Sequence, residues 1–156
     1  MTDKLRAKMI NAGRVLVDEG QGDYVWGHIS ARLPDDPGKF LMKPGCIGVE
    51  EMTDDNIITV NIEGDKVAGE WPRHNEVFIH SEVLRARPDV QASIHTHQPV
   101  ASACALLGAC LDVPPAAVPL TYLPSRKPVL MGVPEDAMRE IMAGMVRGVD
   151  SPKRAG

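Results

Sequence analysis

Long apolar runs, paired cysteines and basic clusters are missing from this 156-residue sequence, and each absence excludes a class of protein. The longest apolar stretch, residues 100–111, is shorter than the ~20 residues that a membrane-spanning helix needs. The three cysteines (Cys46, Cys104 and Cys110) are odd in number and show no Cys-x-x-Cys spacing, so we expect reduced thiols rather than a disulfide framework. The first residues do not resemble a secretory signal, and we therefore expect a cytoplasmic protein with no membrane partner.

Charge and composition argue against nucleic acid as a partner and favour one ordinary globular domain. The formal net charge is −4, the pI is about 5.7, and lysine and arginine are scattered rather than clustered. Hydrophobic residues make up 44% of the chain and charged residues 24%, a mixture that can bury a core although aromatic residues reach only 4%. This length suits a single core, so we expect one domain over residues 1–156.

Helical and strand patterns alternate along the chain, which predicts an α/β domain. Apolar residues at helical spacing predict an N-terminal helix over residues 3–19 that ends at Gly20. β-branched residues on both sides of residues 63–65 predict a β-hairpin. The other predicted elements are strands at 25–33, 39–45 and 89–97, a turn at 35–38, helices at 75–87, 99–107 and 134–148, and a proline-rich connection at 113–128.

Two of the five histidines, His95 and His97, are separated by a single residue at the end of a predicted strand. Residues i and i+2 of a strand point to the same face, with Cα atoms ~7 Å apart, so both imidazoles could bind one metal ion. Imidazole is a common ligand of zinc, nickel, iron and copper. The alternative is that both are ordinary, partly exposed histidines at a strand end.

A carboxylate and a third imidazole follow one another on the preceding predicted helix. Glu76 lies near its start and His80 one turn later, on the same face. Glu76 with two imidazoles would leave an open coordination position, as catalytic zinc sites do. On such a half-apolar helix His80 is more often a hydrogen-bonded core histidine than a ligand, and His74 is equally compatible with a solvated loop residue.

Three segments in this order resemble the class II aldolase/adducin N-terminal domain family: "GHISARL", "KPG" and "PRHNEVFIHSEVLRARPDVQASIHTHQPVA". The resemblance covers roughly residues 5–123 and is most specific over residues 72–104. It implies a three-layer α/β/α sandwich around a largely antiparallel central sheet. It also implies a homotetramer with sites near subunit boundaries.

The resemblance assigns roles to individual residues of this sequence. His95 and His97 match the two zinc-binding histidines of the family, and Glu76 matches the residue that binds the metal and acts as general acid/base. His28 and His80 are alternative proton donors, and His80 is also a candidate additional ligand. The residues that match the substrate pocket are Gly27, His28, Ser30, Lys43, Gly45, Arg73, His74 and Asn75.

Departures from the family pattern narrow the expected substrate. His28 stands where the sugar-phosphate aldolases have asparagine, and Arg73 and His74 replace small hydroxyl residues that help to hold phosphate. A carboxylate bound through Lys43, Arg73 and His28 is therefore expected instead of a phosphorylated sugar.

The resemblance implies a class II, metal-dependent lyase that cleaves a C–C bond of a small hydroxy-carbonyl or hydroxy-carboxylate substrate, by aldol cleavage or decarboxylation. Zn²⁺ is the divalent ion it favours, while Mn²⁺, Fe²⁺ and Ni²⁺ are also compatible. Family enzymes carry a third metal histidine about sixty residues after the His-x-His pair, whereas no histidine follows His97 in this sequence. The alternative is therefore a non-catalytic, adducin-like scaffold or a truncated remnant.

Overall fold

The computed structural model describes residues 2–99, which form two helices, five strands and a short 3-10 helix. The strands join into one antiparallel sheet in the order β4-β3-β2-β1-β5. The elements are α1 (Thr2–Asp18), β1 (His28–Leu33), β2 (Asp36–Met42), the 3-10 helix (Val49–Glu51), β3 (Ile58–Asn61), β4 (Lys66–Ala68), α2 (Val77–Ala86) and β5 (Ala92–His95).

The two faces of the sheet are covered by different helices. Alternating side chains of β2 separate two apolar clusters, because Phe40 and Met42 pack with α2 whereas Leu41 packs with α1 and the 3-10 helix. The α2 cluster also contains Ile58 and Val60 of β3. The predicted three-layer α/β/α sandwich with an antiparallel sheet is therefore confirmed for the described residues.

Helix α1 approaches the 3-10 helix closely, and a glycine makes this approach sterically feasible. A Cβ atom on Gly13 would lie 2.1 Å from the carbonyl oxygen of Val49. Met9, one turn earlier, is buried in the same cluster. The helix ends at Asp18, and Gly20 follows with φ +68°, as the predicted glycine stop requires.

The hairpin predicted around residues 63–65 joins β3 and β4, with Gly64 at φ +92°. The turn predicted at 35–38 is wrong in its bounds, because the chain turns at residues 34–35. Strand β2 begins at Asp36, which pairs with Leu33 of β1, and it ends at Met42, so it lies three residues earlier than the predicted 39–45.

Strand β5 is shorter than the predicted strand 89–97 and ends at His95, so His97 lies just outside it. Strand β5 ends there because it pairs with β1. Strand β1 starts at His28, opposite His95, and not at the predicted residue 25. Beyond this pair the chain preceding β1 turns, with the N–H of Trp26 bonded to the carbonyl of Asp23, and offers no strand for His97 to pair with.

The predictions for the C-terminal part of the chain lie outside the described residues. They are the helix at 99–107 after its first residue, the connection at 113–128, the helix at 134–148, and Cys104 and Cys110. Neither described helix is long and apolar enough to cross a membrane.

Candidate functional site

All five histidines of the chain gather at one end of the sheet. His28 is central, with its ring centroid 4.3 Å from that of His74. Its ring is also stacked on His95, with centroids 4.7 Å apart and planes 14° from parallel. His80 contacts His28 edge-on at 4.7 Å, and His97 contacts His95 at 4.8 Å. Histidines from strand β1, from the region of helix α2 and from the His-x-His segment thus meet in one polar site.

Sheet register explains why these side chains meet. His28 of β1 is paired with His95 of β5, and Ser30 is paired with Ser93, so these four side chains share a face. That face is the one covered by α2, because the intervening Ile29 packs in the α1 cluster. Helix α2 begins directly after Glu76 and therefore brings that carboxylate to the strand ends, with the buried His80 one turn further on.

A chain of three hydrogen bonds links Ser30 to Glu76 through two histidines. The Ser30 hydroxyl donates to Nδ1 of His80 at 2.6 Å, and Nε2 of His80 donates to Nδ1 of His28 at 2.5 Å. Nε2 of His28 then donates to Oε2 of Glu76 at 3.2 Å. This direction follows because an ionised carboxylate can only accept, which places the proton of each histidine on Nε2.

The hydrogen-bond chain is buried and its histidines are neutral. Burial lowers the pKa of both His28 and His80 well below the ordinary histidine value, and neighbouring imidazoles lower each pKa further. A neutral imidazole has one donor and one acceptor nitrogen, which is what both positions in the chain require. This series of hydrogen bonds therefore holds the Glu76 carboxylate at a defined position beside His28.

His95 and His97 approach each other through the nitrogens that a metal would use. Their Nε2 atoms are 2.9 Å apart. Burial lowers the pKa of His95, against an opposing effect of the Glu76 carboxylate, so this ring is also held near a negative charge. Nδ1 of His97 lies 2.6 Å from Oδ2 of Asp23, on the loop that follows α1.

A His-His-Glu cluster that could hold a metal ion is present, but it differs in composition from the predicted one. Ligand atoms of His28, His74 and Glu76 lie within 4.8 Å of one another. Of these, Nδ1 of His74 accepts the backbone N–H of Glu76 at 3.2 Å, while His28 bonds Glu76 itself. The Glu76 carboxylate also acts electrostatically on His95. A donor set of imidazoles and a carboxylate suits a divalent transition metal.

Two residues predicted to contact substrate are engaged within the protein. The hydroxyl of Ser30 is buried against His80. The ammonium of Lys43 is buried as well, donating to the carbonyls of Val25, at 3.0 Å, and of Ile47. Burial lowers the pKa of Lys43 to about 8. In this arrangement Lys43 joins the loop before β1 to the loop after β2.

The segments 43–45 and 72–75 lie side by side, as expected for two parts of one pocket. The N–H of Gly45 donates to the carbonyl of Pro72 at 2.9 Å, and a Cβ on Gly45 would lie 3.3 Å from the carbonyl oxygen of Arg73. The Arg73 guanidinium lies 5.6 Å from the centre of the Phe78 ring. Asn75 is exposed, whereas Gly27 is buried where a Cβ would lie 3.7 Å from the carbonyl oxygen of His95.

Comparison with known protein families shows the family of this chain. The sequence pattern of the "Class II Aldolase and Adducin N-terminal domain" family matches residues 7–146. The chain belongs to this family. The resemblance in "GHISARL", "KPG" and the His-x-His segment is thereby confirmed at the level of the family.

Solved structures of class II aldolases share the fold. L-fuculose 1-phosphate aldolase from Glaciozyma antarctica PI12 is 32% identical, with a TM-score of 0.64 over 69% of this chain and 45% of that one. YgbL from Klebsiella pneumoniae, whose candidate activity is aldolase/epimerase/decarboxylase, is 27% identical, with a TM-score of 0.60 over 70% of this chain and 50% of that one. An aldolase II superfamily protein from Pseudomonas syringae is 30% identical, with a TM-score of 0.61 over 65% of this chain and 42% of that one. The chain thus matches about half the length of these relatives.

Within this class II aldolase and adducin domain, Asp23 is a site residue that the sequence analysis missed. It is one of 21 acidic residues and lies 74 positions from the histidine that it contacts. Its position in the glycine-containing loop before the "GHIS" strand was the only signal available. Nothing in that signal indicates that the loop reaches His97.

Proposed function

We propose that this protein is a metal-dependent lyase that breaks a C–C bond in a small hydroxy-carbonyl or hydroxy-carboxylate compound, by aldol cleavage or by decarboxylation. The observation that carries the proposal is the carboxylate of Glu76, held at 3.2 Å by His28, whose ring is stacked on His95 of the His95–His97 pair. Family membership and the names of the solved relatives support a lyase-type activity.

The residues present fit the metal that class II aldolases use. His95, His97 and Glu76 are the proposed ligands, and zinc is the proposed ion because it accepts imidazole and carboxylate together. When bound, such an ion would stabilise the negative charge that forms on a substrate oxygen as the C–C bond breaks. His28 contributes by stacking on His95, which restricts the orientation of that ring.

Glu76 is the proposed general acid/base. In aldol cleavage the substrate hydroxyl loses a proton, the C–C bond breaks, and its electron pair remains on the fragment that becomes the enediolate. In decarboxylation carbon dioxide leaves and the same electron pair remains on carbon. Both reactions end when a proton is delivered to that carbon, and Glu76 is positioned by His28 to carry it.

The substrate is proposed to contact the two loops that flank Glu76. Segments 43–45 and 72–75 lie together there, and the latter contains Arg73, His74 and Asn75. The side chains of Ser30 and Lys43 are hydrogen-bonded to other protein groups. We therefore propose that these residues maintain the shape of the pocket and do not contact the substrate directly. A small anionic compound matches these loops best, since Arg73 supplies a cation.

The family resemblance also supports a homotetramer, with substrate binding near the boundaries between copies. Light scattering on the eluate of a gel-filtration column measures the mass directly. A particle of four chains is expected, and a monomer at the working concentration would contradict this part of the proposal.

Metal content is the first test of the proposed function. Elemental analysis of the purified wild-type protein should find about one transition-metal ion per chain, and the His95→Ala/His97→Ala double variant should lose it because both imidazoles are ligands. A wild-type protein that binds no metal after zinc is supplied would contradict the proposal and favour the scaffold.

Activity is tested with the metal-loaded protein and a panel of small hydroxy acids and hydroxy-carbonyl compounds. Release of carbon dioxide or of an aldehyde should be observed in the wild type and should fall by about 10²–10⁴-fold in Glu76→Gln, which cannot transfer a proton. Glu70→Gln is the matched control, since Glu70 is an exposed carboxylate outside the cluster. An equal loss in both variants would contradict the role given to Glu76.

A further inference from the structure

Asp23 connects the loop after α1 to the His-x-His segment through a short contact. Its Oδ2 lies 2.6 Å from Nδ1 of His97. Beside it, the hydroxyl of Thr96 donates to Oε1 of Gln21 at 3.3 Å, so the same loop holds two successive residues at the end of β5. These contacts take the place of strand pairing, which ends at His95.

The contact determines which nitrogen of His97 can bind a metal. A carboxylate oxygen accepts hydrogen bonds, so the nitrogen facing it carries the proton. For the neutral ring this places the proton on Nδ1 and leaves the lone pair on Nε2. That Nε2 is the atom 2.9 Å from Nε2 of His95, at the position where two ligands must converge.

We propose that Asp23 is a positioning residue that sets the Nδ1–H tautomer of His97 and so presents Nε2 as a metal ligand. The inference about metal binding rests on the proposed function, whereas the inference about the tautomer rests on the Asp23–His97 geometry alone. Carboxylates that bond the outer nitrogen of a metal-binding histidine typically change metal affinity by about 10–100-fold when removed.

A purely structural role for Asp23 predicts a different result. Both partners are partly exposed, with 42% of the His97 side chain and 35% of the Asp23 side chain accessible to solvent. Exposed ion pairs contribute little to folding, so the loss of this contact should change stability only slightly. A large change in metal affinity with a small change in stability therefore distinguishes positioning from scaffolding.

Metal titrations of the full chain test the effect on affinity. Calorimetry with Zn²⁺ alone should give affinities that are about 10–100-fold weaker for Asp23→Ala than for the wild type. Asp23→Asn should be intermediate, because its amide oxygen still accepts a hydrogen bond but carries no charge. Asp55→Ala, which removes an exposed aspartate elsewhere, is the matched control and should bind like the wild type. Equal affinity in Asp23→Ala and Asp55→Ala would overturn the proposal.

The tautomer is read independently by long-range ¹H–¹⁵N NMR of the metal-free protein at about pH 8, where free histidine is neutral. The wild type should show the His97 proton on Nδ1, and Asp23→Ala should shift it toward Nε2, the tautomer that a free imidazole prefers. A proton on Nε2 in the wild type would overturn the proposal. If no variant binds zinc, the proposed function fails, and the NMR result still decides whether Asp23 controls the ring.

Discussion

At the scale of single residues, the facing pair Ser30 and Ser93 tests the hydrogen bond between Ser30 and His80, the shorter of the two contacts of the Ser30 hydroxyl. The Ser30 hydroxyl donates to the buried His80, whereas the Ser93 hydroxyl is buried with no hydrogen-bond partner among residues 2–99. Ser30→Ala leaves Nδ1 of His80 without a donor and should lower the free energy of unfolding by about 1–3 kcal/mol. Ser93→Ala should change it by no more than about 0.5 kcal/mol. Urea denaturation measures both, and an equal loss would contradict the hydrogen-bond chain.

At the scale of elements, the contact between α1 and the 3-10 helix reverses the usual effect of replacing a helical glycine. Gly→Ala in a helix interior normally stabilises it by about 1 kcal/mol. Here the new methyl group would lie 2.1 Å from the carbonyl oxygen of Val49, a backbone atom that cannot move aside cheaply. Gly13→Ala should therefore destabilise the protein by about 1–3 kcal/mol in thermal or urea unfolding.

Asn11→Ala is the control for this element, since Asn11 is exposed on the same helix. Its effect should stay within about 0.5 kcal/mol or be slightly stabilising. If Gly13→Ala were stabilising to the same extent, α1 would not pack on the 3-10 helix as described.

At the scale of the whole molecule, the buried histidines make stability depend on pH. His28 and His80 have pKa values well below the ordinary histidine value, mainly because of burial, whereas in the unfolded chain they titrate near 6.5. As the pH falls below about 6.5, the unfolded state binds protons that the folded state does not. The free energy of unfolding of the metal-free protein should therefore fall with decreasing pH, by up to about 1.4 kcal/mol per pH unit for each histidine, until its folded-state pKa is reached.

Urea denaturation at a series of pH values between about 7 and 5.5 checks this slope, with a chelator present. His80→Gln removes one of these groups and should reduce the slope by up to about 1.4 kcal/mol per pH unit at the acidic end of this range. A slope that is the same in both proteins, or absent from the wild type, would contradict the burial of a neutral His80 in the folded state.

Within residues 2–99, local patterns predicted the type and order of the elements better than the bounds of the strands. Helix α1 was predicted within one residue at each end, and the hairpin at residues 63–65 was confirmed, because both depend on neighbours in sequence. Strand β5 was predicted too long, since its end depends on where β1 starts rather than on its own residues. Strand β2 was predicted three residues too late, since its bounds follow the pairing of Asp36 and Met42 with β1.

The sequence by itself determined the α/β alternation of elements and the polar residues that could bind a metal, since apolar periodicity and motif spacing are properties of the linear chain. Its resemblance to a known family supplied the three-layer architecture. Only the tertiary structure decided how those residues are connected. The β1–β5 register stacks His28 on His95, and the loop after α1 brings Asp23 to His97. The reason is physical, because hydrogen bonds between residues 50 or more positions apart depend on how strands pair and helices pack, and no local pattern specifies that.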